Sequence, residues 1–441
     1  MDDFPSLQYL YDTTHSYDSG KVADYIPQLA EVNPELYGIA FCDLKGHVTC
    51  VGDAQQPFCV QSCSKPLSYC FARQLHREND NEAGVHAHVG YEPSGRAFNA
   101  FSLNRDGLPH NPLINAGAIM VASLLHAEKE PAARFAAVQA FYERLAGHYR
   151  PIGFDNGVFL SEKHHADRNI SLAYYMRENR AYDGYPTPSQ LNDHLDLYYQ
   201  CCAITSTCEN LAVMAATLAN RGTCPLNNEK VVDSDIVQDA LSIMYSCGMY
   251  DYSGQFGFQV GLPAKSGVSG CVMLVVPNVG GFCVWSPRLD DLGNSVRGIE
   301  FCHAFTRRTN GRFHLFAQHN HPVNEVNDGT EITPQQELHQ LIYAASHGDL
   351  ETLRNASSQD ALHLHDYDGR TPLHLACVEG RSEVIRYLVT EVNVDVVCKD
   401  RWGNTPHHEA SKWRRKLEEQ AASEEALTQW DCVMTMLTCE R

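Results

Sequence analysis

The stretch Asp366–Ala376 reads DYDGRTPLHLA, and Asp400–Ala410 repeats its frame as DRWGNTPHHEA 34 residues later. A degenerate copy precedes both, with Leu341, Ala344 and Gly348 at corresponding positions. A turn followed by a helix pair cannot bury its apolar face alone, so about three such units must stack. The C-terminal part of the chain is therefore predicted to be an all-α solenoid of repeats.

The T-P-L-H-x-A run and a period close to 33 residues are typical of ankyrin repeats. We assign the repeats to residues 334–441, with 334–365 as the degenerate unit and 366–399 and 400–440 as the explicit ones. The concave surface of such a solenoid predicts a protein partner. Residues 307–333 are rich in Asn, Gly and Pro, and this turn-forming composition predicts a linker. That leaves 1–19 as an N-terminal extension and 20–306 as a separate domain.

Strand patterns lie at both ends of residues 20–306. Tyr37–Val51 and Val272–Trp285 each predict a hairpin, and together they imply an antiparallel sheet that joins early and late sequence. The middle is helical, with a predicted capping box at Ser206 and Glu209. Strands at the ends and helices between them predict an α+β fold, with a helical cluster packed on an antiparallel sheet.

Charge and hydropathy exclude several classes of function. The 441 residues contain 34 Lys and Arg against 54 Asp and Glu, a net charge of −20, which argues against nucleic-acid and anionic-membrane partners. The most apolar stretch, Cys271–Trp285, is too short and too interrupted for a membrane helix. These features predict a soluble protein.

Targeting and cysteine signals predict an intracellular protein. Residues 1–20 contain no Lys or Arg, so neither a secretory signal nor a mitochondrial transit peptide is expected in this form. The 17 cysteines are scattered through the chain, which favours reduced thiols over a disulfide framework. No C-x-x-C or H-E-x-x-H pattern occurs, so no metal is expected.

Ser62 and Lys65 have the S-x-x-K spacing, which on a helix places the amine one turn from the hydroxyl. Alone, the pair is equally compatible with a solvated helix face. Lys265-Ser-Gly267, a K-[ST]-G-like tripeptide before a predicted strand, lies about 200 residues downstream, an order typical of serine β-lactamase-like hydrolases. Together the two motifs favour a serine nucleophile, whose oxyanion would bind to backbone amides.

Polar clusters between these motifs are candidates for orienting a substrate. They include Asn115, Glu162, Asn169 and Tyr250. Each has an ordinary structural alternative, because Asn115 could cap a helix, Glu162 could be a first-turn acid and Tyr250 could be a core aromatic.

Many stretches, in order, closely resemble the serine-dependent glutaminases, and with the ankyrin repeats the resemblance is to the animal kidney-type and liver-type enzymes. It covers roughly residues 19–415. The stretches that carry it are Lys21–Gln28, Pro57–Pro66, Glu92–Gly95, Pro109–Pro112, Asn115–Ile119, Asp167–Asn169, Met214–Asn220, Cys247–Gln255 and Gly261–Val268.

The resemblance implies hydrolysis of L-glutamine to L-glutamate and ammonia on a β-lactamase-like fold, without metal or organic cofactor. It makes Ser62 the nucleophile, Lys65 its proton-transfer partner and Tyr250 an assisting tyrosine. The amides of Ser62 and Val268 match the oxyanion hole. The remaining positions match groups that hold the amino-acid end of glutamine: Tyr25, Asn115, Glu162, Asn169 and Tyr198.

The resemblance also implies a homotetramer, inorganic phosphate as an activator and a mitochondrial address, with a cytoplasmic location as the alternative because no transit peptide is visible. Kidney-type enzymes carry a mobile loop, linked to phosphate activation and tetramerisation, where this chain has Phe98–Asn104. Here a Lys and a Leu-Phe pair of that loop are replaced. Glu178–Gln190 also departs from the family pattern.

Two alternatives remain open. S-x-x-K and K-S-G alone are compatible with a penicillin-hydrolysing or related amidase, which nitrocefin turnover without glutaminase activity would favour. The repeats are also compatible with a catalytically inactive scaffold that binds a partner, which turnover of glutamine by the whole chain would exclude.

Overall fold

The computed structural model describes residues 5–79, 84–317, 334–354, 356, 359–419 and 423–438. The chain divides into two compact units, Met1–Gln318 and His319–Arg441. The first unit combines helices with two β-sheets, and the second is built of helices and turns. Within these ranges, no helix is both long enough and apolar enough to cross a bilayer.

Early and late sequence meet in the larger sheet of the first unit. The strands are β1 Gly38–Asp43, β2 Val48–Gly52, β3 Phe58–Cys59, β4 Gly153–Phe154, β5 Ile204–Ser206, β6 Ala264–Gly267, β7 Cys271–Val276 and β8 Gly280–Trp285. The five-stranded sheet has the order β2-β1-β8-β7-β6, and a three-stranded sheet has the order β3-β5-β4. β1 lies antiparallel to β8, with Gly38 opposite Trp285. The predicted pairing of the two hairpins is confirmed.

Helices cover both faces of the larger sheet, which explains why β7 and β8 are buried along their whole length. The even-numbered residues of β7 pack in a core with α1 (Leu7–Thr14) and α12 (Val296–Arg308). Its odd-numbered residues pack in a second core with α9 (Cys208–Ala219). Gly281 permits this close approach, because a Cβ there would lie 2.2 Å from the backbone nitrogen of Ala216.

The helical cluster occupies the middle of the sequence, as predicted. The other helices of the first unit are α2 Pro27–Ala30, α3 Ser64–Glu78, α4 Asn115–Leu124, α5 Pro131–Leu145, α6 Asn156–His164, α7 Asp167–Glu178, α8 Pro188–Cys202, α10 Ser234–Cys247 and α11 Ser253–Gln259. The predicted capping box at Ser206 and Glu209 is wrong by one residue. Ser206 ends β5, and the Thr207 hydroxyl caps α9 by accepting from the Asn210 amide at 3.3 Å.

The first unit continues beyond α12. The Leu315 amide donates to the Gly261 carbonyl oxygen at 2.9 Å, and the Phe316 ring lies 5.8 Å from the Tyr245 ring. Residues 307–317, which the sequence assigned to the linker, therefore pack on the first unit. The rest of that assignment, 318–333, lies outside the described residues.

The described residues of the second unit form six α-helices: α13 Pro334–His347, α14 Leu350–Arg354, α15 Pro372–Val378, α16 Ser382–Tyr387, α17 Pro406–Glu419 and α18 Glu424–Met436. Its apolar side chains form one core that runs from Leu341 to Leu437. The Trp430 indole closes the far end by donating to the Ala410 carbonyl oxygen at 3.1 Å. Successive repeats thus bury their apolar side chains against one another, as stacking requires.

The repeated T-P-x-H frame has a local cause. The Thr371 hydroxyl accepts from the His374 amide, and the His374 ring accepts from the Thr371 amide, so the two residues close a capping box around Pro372. Thr405 and His408 make the same pair of bonds in the next unit. Each repeat therefore begins its first helix with its own side chains.

Candidate active site

Ser62 lies in a short 3₁₀ turn, Gln61–Cys63, that leads directly into α3. Lys65 is in the first turn of α3, and both side chains are nearly inaccessible to solvent, at 8% and 2% exposed. The solvated-helix-face alternative for S-x-x-K is therefore wrong. The amide groups at this end of α3 bring partial positive charge to Ser62.

Two residues with strained backbone flank the serine in space. Gln61 has φ of 48° and Tyr250 has φ of 53°, in the left-handed region that is unfavourable for residues with a Cβ. Such strain costs on the order of 1–3 kcal/mol and often occurs at functional sites. Tyr250 is held there by Ser253, whose hydroxyl accepts from the Met249 amide at 2.9 Å and donates to the Tyr250 carbonyl oxygen at 2.6 Å.

The Tyr250 hydroxyl lies beside Ser62. Burial raises the pKa of Tyr250, and the neighbouring Ser62 hydroxyl opposes that shift. The phenol oxygen is buried and has no hydrogen-bond partner among the described residues, so it is available to a bound molecule. Its ring lies 4.9 Å from the ring of Phe98, so the first residue of the Phe98–Asn104 segment contacts the site.

Lys65 begins a chain of polar contacts. Its Nζ donates to Asn115 Oδ1 at 2.7 Å, and Asn115 Nδ2 donates to Asn169 Oδ1 at 3.1 Å. Asn115 is the first residue of α4, and its side chain makes no cap, so the capping alternative for it is wrong. Nζ also lies 5.9 Å from the ring centroid of Tyr198 on α8. Burial lowers the pKa of Lys65 to about 8.

Glu162 collects two donors from distant parts of the chain. Its Oε1 accepts from the Tyr25 hydroxyl at 2.7 Å and from Gln61 Nε2 at 3.0 Å. Burial raises the pKa of Glu162, and these two hydrogen bonds oppose the rise. Glu162 is in the second turn of α6, so it is not a first-turn acid. Gln61 thus links the carboxylate to the residue before Ser62.

Val268 follows β6, where the strand meets the Ser62 turn. A Cβ on Gly267 would lie 3.0 Å from the Val60 carbonyl oxygen and 3.5 Å from the Cys63 amide nitrogen, so glycine brings the end of β6 close to that turn. The Val268 amide donates to no other described residue. Val268 is the next residue after this close approach of Gly267 to the Ser62 turn.

The structure brings most of the predicted residues into one linked group. Contacts join Ser62 to Tyr250, Lys65 to Asn115 and Tyr198, Asn115 to Asn169, and Glu162 to Tyr25. Val268 is placed by the close approach of β6. Gln61 and Lys265 also lie in this group, although neither was predicted as a site residue. The signals were present, since Gln61 adjoins S-x-x-K and Lys265 begins K-S-G.

Lys265 is fully buried on β6. Its Nζ donates to the Ser266 carbonyl oxygen at 2.6 Å and lies 4.5 Å from the centroid of the Tyr250 ring. Burial and the charge of Lys65 lower the pKa of Lys265 to about 7. Two amines of lowered pKa therefore lie near one serine. Across the described part of the chain, no group of three or more His, Cys, Asp and Glu side chains is arranged to hold a metal ion.

Comparisons with known proteins match both units. The family model described as Glutaminase matches residues 20–316, and the one described as Ankyrin repeats (3 copies) matches residues 341–419. The chain is 45% identical over 406 residues to "Putative glutaminase 2" of Caenorhabditis elegans, covering 92% of this chain and 66% of that protein. It is 44% identical over 395 residues to "Glutaminase liver isoform, mitochondrial" of Mus musculus, covering 89% and 64%. The chain thus spans about two thirds of the length of these relatives.

A solved structure extends the comparison to three dimensions. The crystal structure of Mglu in its native form aligns with a TM-score of 0.64 at 36% sequence identity, covering 71% of this chain and 72% of that one. The predicted fold class, an α+β, β-lactamase-like domain followed by ankyrin repeats, is confirmed.

Proposed function

This chain belongs to the glutaminase family, and from that membership we propose that it is an amidohydrolase that converts L-glutamine to L-glutamate and ammonia. The family match over residues 20–316 carries the proposal. Within that range the buried Ser62 and Lys65 and the half-buried Tyr250 supply side chains suited to opening an amide. The names of the animal relatives support the same activity.

Ser62 is the proposed nucleophile and Lys65 its proton acceptor. Neutral Lys65 takes the hydroxyl proton as Ser62 Oγ bonds to the amide carbon of glutamine. The C–N bond then breaks, the proton passes to the leaving nitrogen, and ammonia departs from a glutamyl ester of Ser62. Water attacks that ester through the same proton transfers, which releases glutamate and restores the serine.

Backbone amides of Ser62 and Val268 are the proposed oxyanion hole. Negative charge develops on the carbonyl oxygen when Ser62 adds, and fixed N–H donors stabilise it most where water is excluded. The close approach of Gly267 to the Ser62 turn supports this role, as does the unpaired amide of Val268. Tyr250 is proposed to assist proton transfer through its unpaired hydroxyl.

The amino-acid end of glutamine is proposed to bind beside Lys65. Glu162 provides a carboxylate for the α-ammonium group, and a charge-assisted hydrogen bond of this kind is among the stronger ones. Neutral donors suit the α-carboxylate: Tyr25, Asn115, Asn169, Tyr198 and Tyr250. A site disfavours substrates that leave its polar groups unpaired, so this cluster favours an amino-acid substrate over a penicillin.

These steps call for no metal or organic cofactor, because Lys65 acts as the base and backbone N–H groups stabilise the negative charge on the carbonyl oxygen. By family membership we propose a homotetramer with inorganic phosphate as activator. The contact between Phe98 and Tyr250 links the loop Phe98–Asn104, the proposed place of phosphate activation, to the active site. A mitochondrial location is proposed from the mouse relative, and a protein partner is proposed for the ankyrin repeats. Neither nucleic acid nor membrane is a proposed partner.

A catalytically inactive scaffold is the second candidate, and the stacked repeats at residues 341–419 favour it. It differs from the first in predicting no turnover by a folded protein. The ankyrin partner would then account for the function of the chain.

Release of ammonia and glutamate from L-glutamine by the purified full chain tests the proposal, with and without phosphate. Ser62→Ala should lose activity by several orders of magnitude, as loss of a covalent nucleophile does. Ser64→Ala is the matched control, because Ser64 is a buried serine two residues away and should leave turnover near the parent level. Activity of Ser62→Ala above about 1% of the parent would overturn the nucleophile assignment. A folded parent without turnover would favour the scaffold.

A further inference from the structure

The proposed mechanism leaves Lys265 without a role, although it is among the most buried charged side chains of the first unit. Its Nζ makes one hydrogen bond to the described residues, to the Ser266 carbonyl oxygen at 2.6 Å. A protonated amine has three donors, so burial with one acceptor is unfavourable for the folded state. An apolar side chain of similar length would avoid that cost on β6.

The contact that distinguishes this amine is with Tyr250. Lys265 Nζ lies 4.5 Å from the centroid of the Tyr250 ring, so the amine packs against the face of the ring. The Tyr250 hydroxyl has no hydrogen bond to a described residue that would orient it. The position of the phenol beside Ser62 therefore depends on what touches its ring, which includes Lys265 and Phe98.

Backbone contacts tie Lys265 and Tyr250 together. The Ser266 amide donates to the Gly248 carbonyl oxygen at 3.1 Å, which joins β6 to the turn that carries Tyr250. Gly248 permits this approach, because a Cβ there would lie 1.8 Å from the Ala264 carbonyl oxygen. The strained Tyr250 backbone is thus held against the strand that presents Lys265.

We propose that Lys265 is a positioning residue, whose amine packs on the Tyr250 ring and keeps the Tyr250 hydroxyl at Ser62 during attack and departure of ammonia. The inference rests on the proposed function, because it takes Ser62 as the nucleophile and Lys65 as the proton acceptor. Lys265 acts through Tyr250 and touches no reacting atom. Its loss should therefore lower kcat while KM for glutamine changes little.

The charge of Lys265 provides a second readout. The charge of Lys65 disfavours protonation of Lys265, and by reciprocity a fixed charge at position 265 must disfavour protonation of Lys65. Since activity requires neutral Lys65, a fixed charge should shift the acid limb of the pH profile to lower pH. The titratable groups that face Lys265 are Lys65, Cys63, Cys247, Cys271 and Tyr250.

The test uses the full chain with Lys265→Met, Lys265→Arg and the control Lys45→Met, which removes an exposed amine from the turn between β1 and β2. We expect Lys265→Met to lower kcat about 10- to 100-fold, a part of the roughly 10²- to 10⁴-fold that one acid–base group contributes, with KM within about threefold of the parent. Lys265→Arg should recover part of kcat and move the acid limb of kcat/KM down by about 0.5–1 pH unit. Lys45→Met should match the parent.

A double-mutant cycle with Tyr250→Phe separates positioning from general loss of structure. If Lys265 acts through the phenol hydroxyl, Lys265→Met should cost little further activity once that hydroxyl is gone. The inference would be overturned if Lys265→Met lowered kcat equally in the parent and in Tyr250→Phe. It would also be overturned if Lys265→Met alone kept the parental kcat. If Lys265→Met does not fold, the pH shift of Lys265→Arg decides, and an unchanged acid limb counts against the proposal.

The same assays distinguish this inference from the proposed function. A folded parent without turnover, or an active Ser62→Ala variant, contradicts the function. An active parent and an inactive Ser62→Ala, together with a fully active Lys265→Met, contradict the role of Lys265 alone.

Discussion

Raising the pH from 7 to 9 should increase the kcat/KM for glutamine about tenfold, because Lys65 can accept the Ser62 proton only when it is neutral. Burial lowers the pKa of Lys65 from 10.5 to about 8, and the nearby Glu162 carboxylate opposes part of that drop. A lysine loses its charge as the pH rises through its pKa. Activity should therefore rise with pH over this range.

The size of the effect follows from that pKa. With a pKa of about 8, about 9% of Lys65 amines are neutral at pH 7, about 50% at pH 8 and about 91% at pH 9. An exposed lysine with a pKa of 10.5 would be only about 0.03% neutral at pH 7. Burial thus increases the reactive form about 300-fold at neutral pH.

The assay is the initial rate of ammonia release at glutamine concentrations well below KM, since kcat/KM reports the ionisation of the free enzyme. Melting temperature is measured at each pH, to separate titration of Lys65 from unfolding. A kcat/KM that stays flat or falls between pH 7 and 9, in a protein of constant stability, would refute neutral Lys65 as the proton acceptor.

Three further predictions concern single residues. Glu162→Gln keeps an acceptor for Tyr25 but loses the charge, so KM should rise about 10- to 100-fold with a smaller change in kcat; an unchanged KM would contradict its role. Gly248→Ala should lower the free energy of unfolding by at least about 2 kcal/mol in denaturant titrations, because its Cβ would clash with the Ala264 carbonyl oxygen. The control is Gly254→Ala, at a helix position with open space around it, which should leave that free energy unchanged or raise it. Thr371→Ala removes the cap of α15, so it should destabilise the repeats by about 1 kcal/mol while kcat stays at the parent value. A loss of activity would contradict the prediction that turnover does not depend on the stability of the repeats.

The ankyrin unit could be predicted from sequence because its signals are local. Thr371, Pro372 and His374 close a capping box within four residues, so the helix start is encoded in the segment itself. The start of α9 shows the limit of such reasoning. Ser206 and Thr207 are both residues that favour the N-cap position. Because Ser206 pairs with Phe58 in the ladder between β5 and β3, Thr207 caps the helix instead.

Some residues of the candidate site were likewise predictable from local sequence, and others come together only in the tertiary structure. Ser62 and Lys65 were predicted from their spacing, since a helix sets their separation. The bond from Tyr25 to Glu162 crosses 137 positions of sequence, and only the resemblance to glutaminases placed those residues together. K-S-G marks Lys265 in the sequence, but its contact with the Tyr250 ring is set by tertiary packing.

By itself, the sequence determined the repeat, the two hairpins and the helical spacing of Ser62 and Lys65, because these depend on neighbouring residues and on the alternation of apolar side chains. The tertiary structure alone decided that Lys65 and Lys265 are buried together and that Tyr250 lies at Ser62. The lowered pKa of each lysine is a consequence of lost solvation, and for Lys265 also of the nearby charge of Lys65. Both causes exist only after distant segments have packed and removed water from the amines.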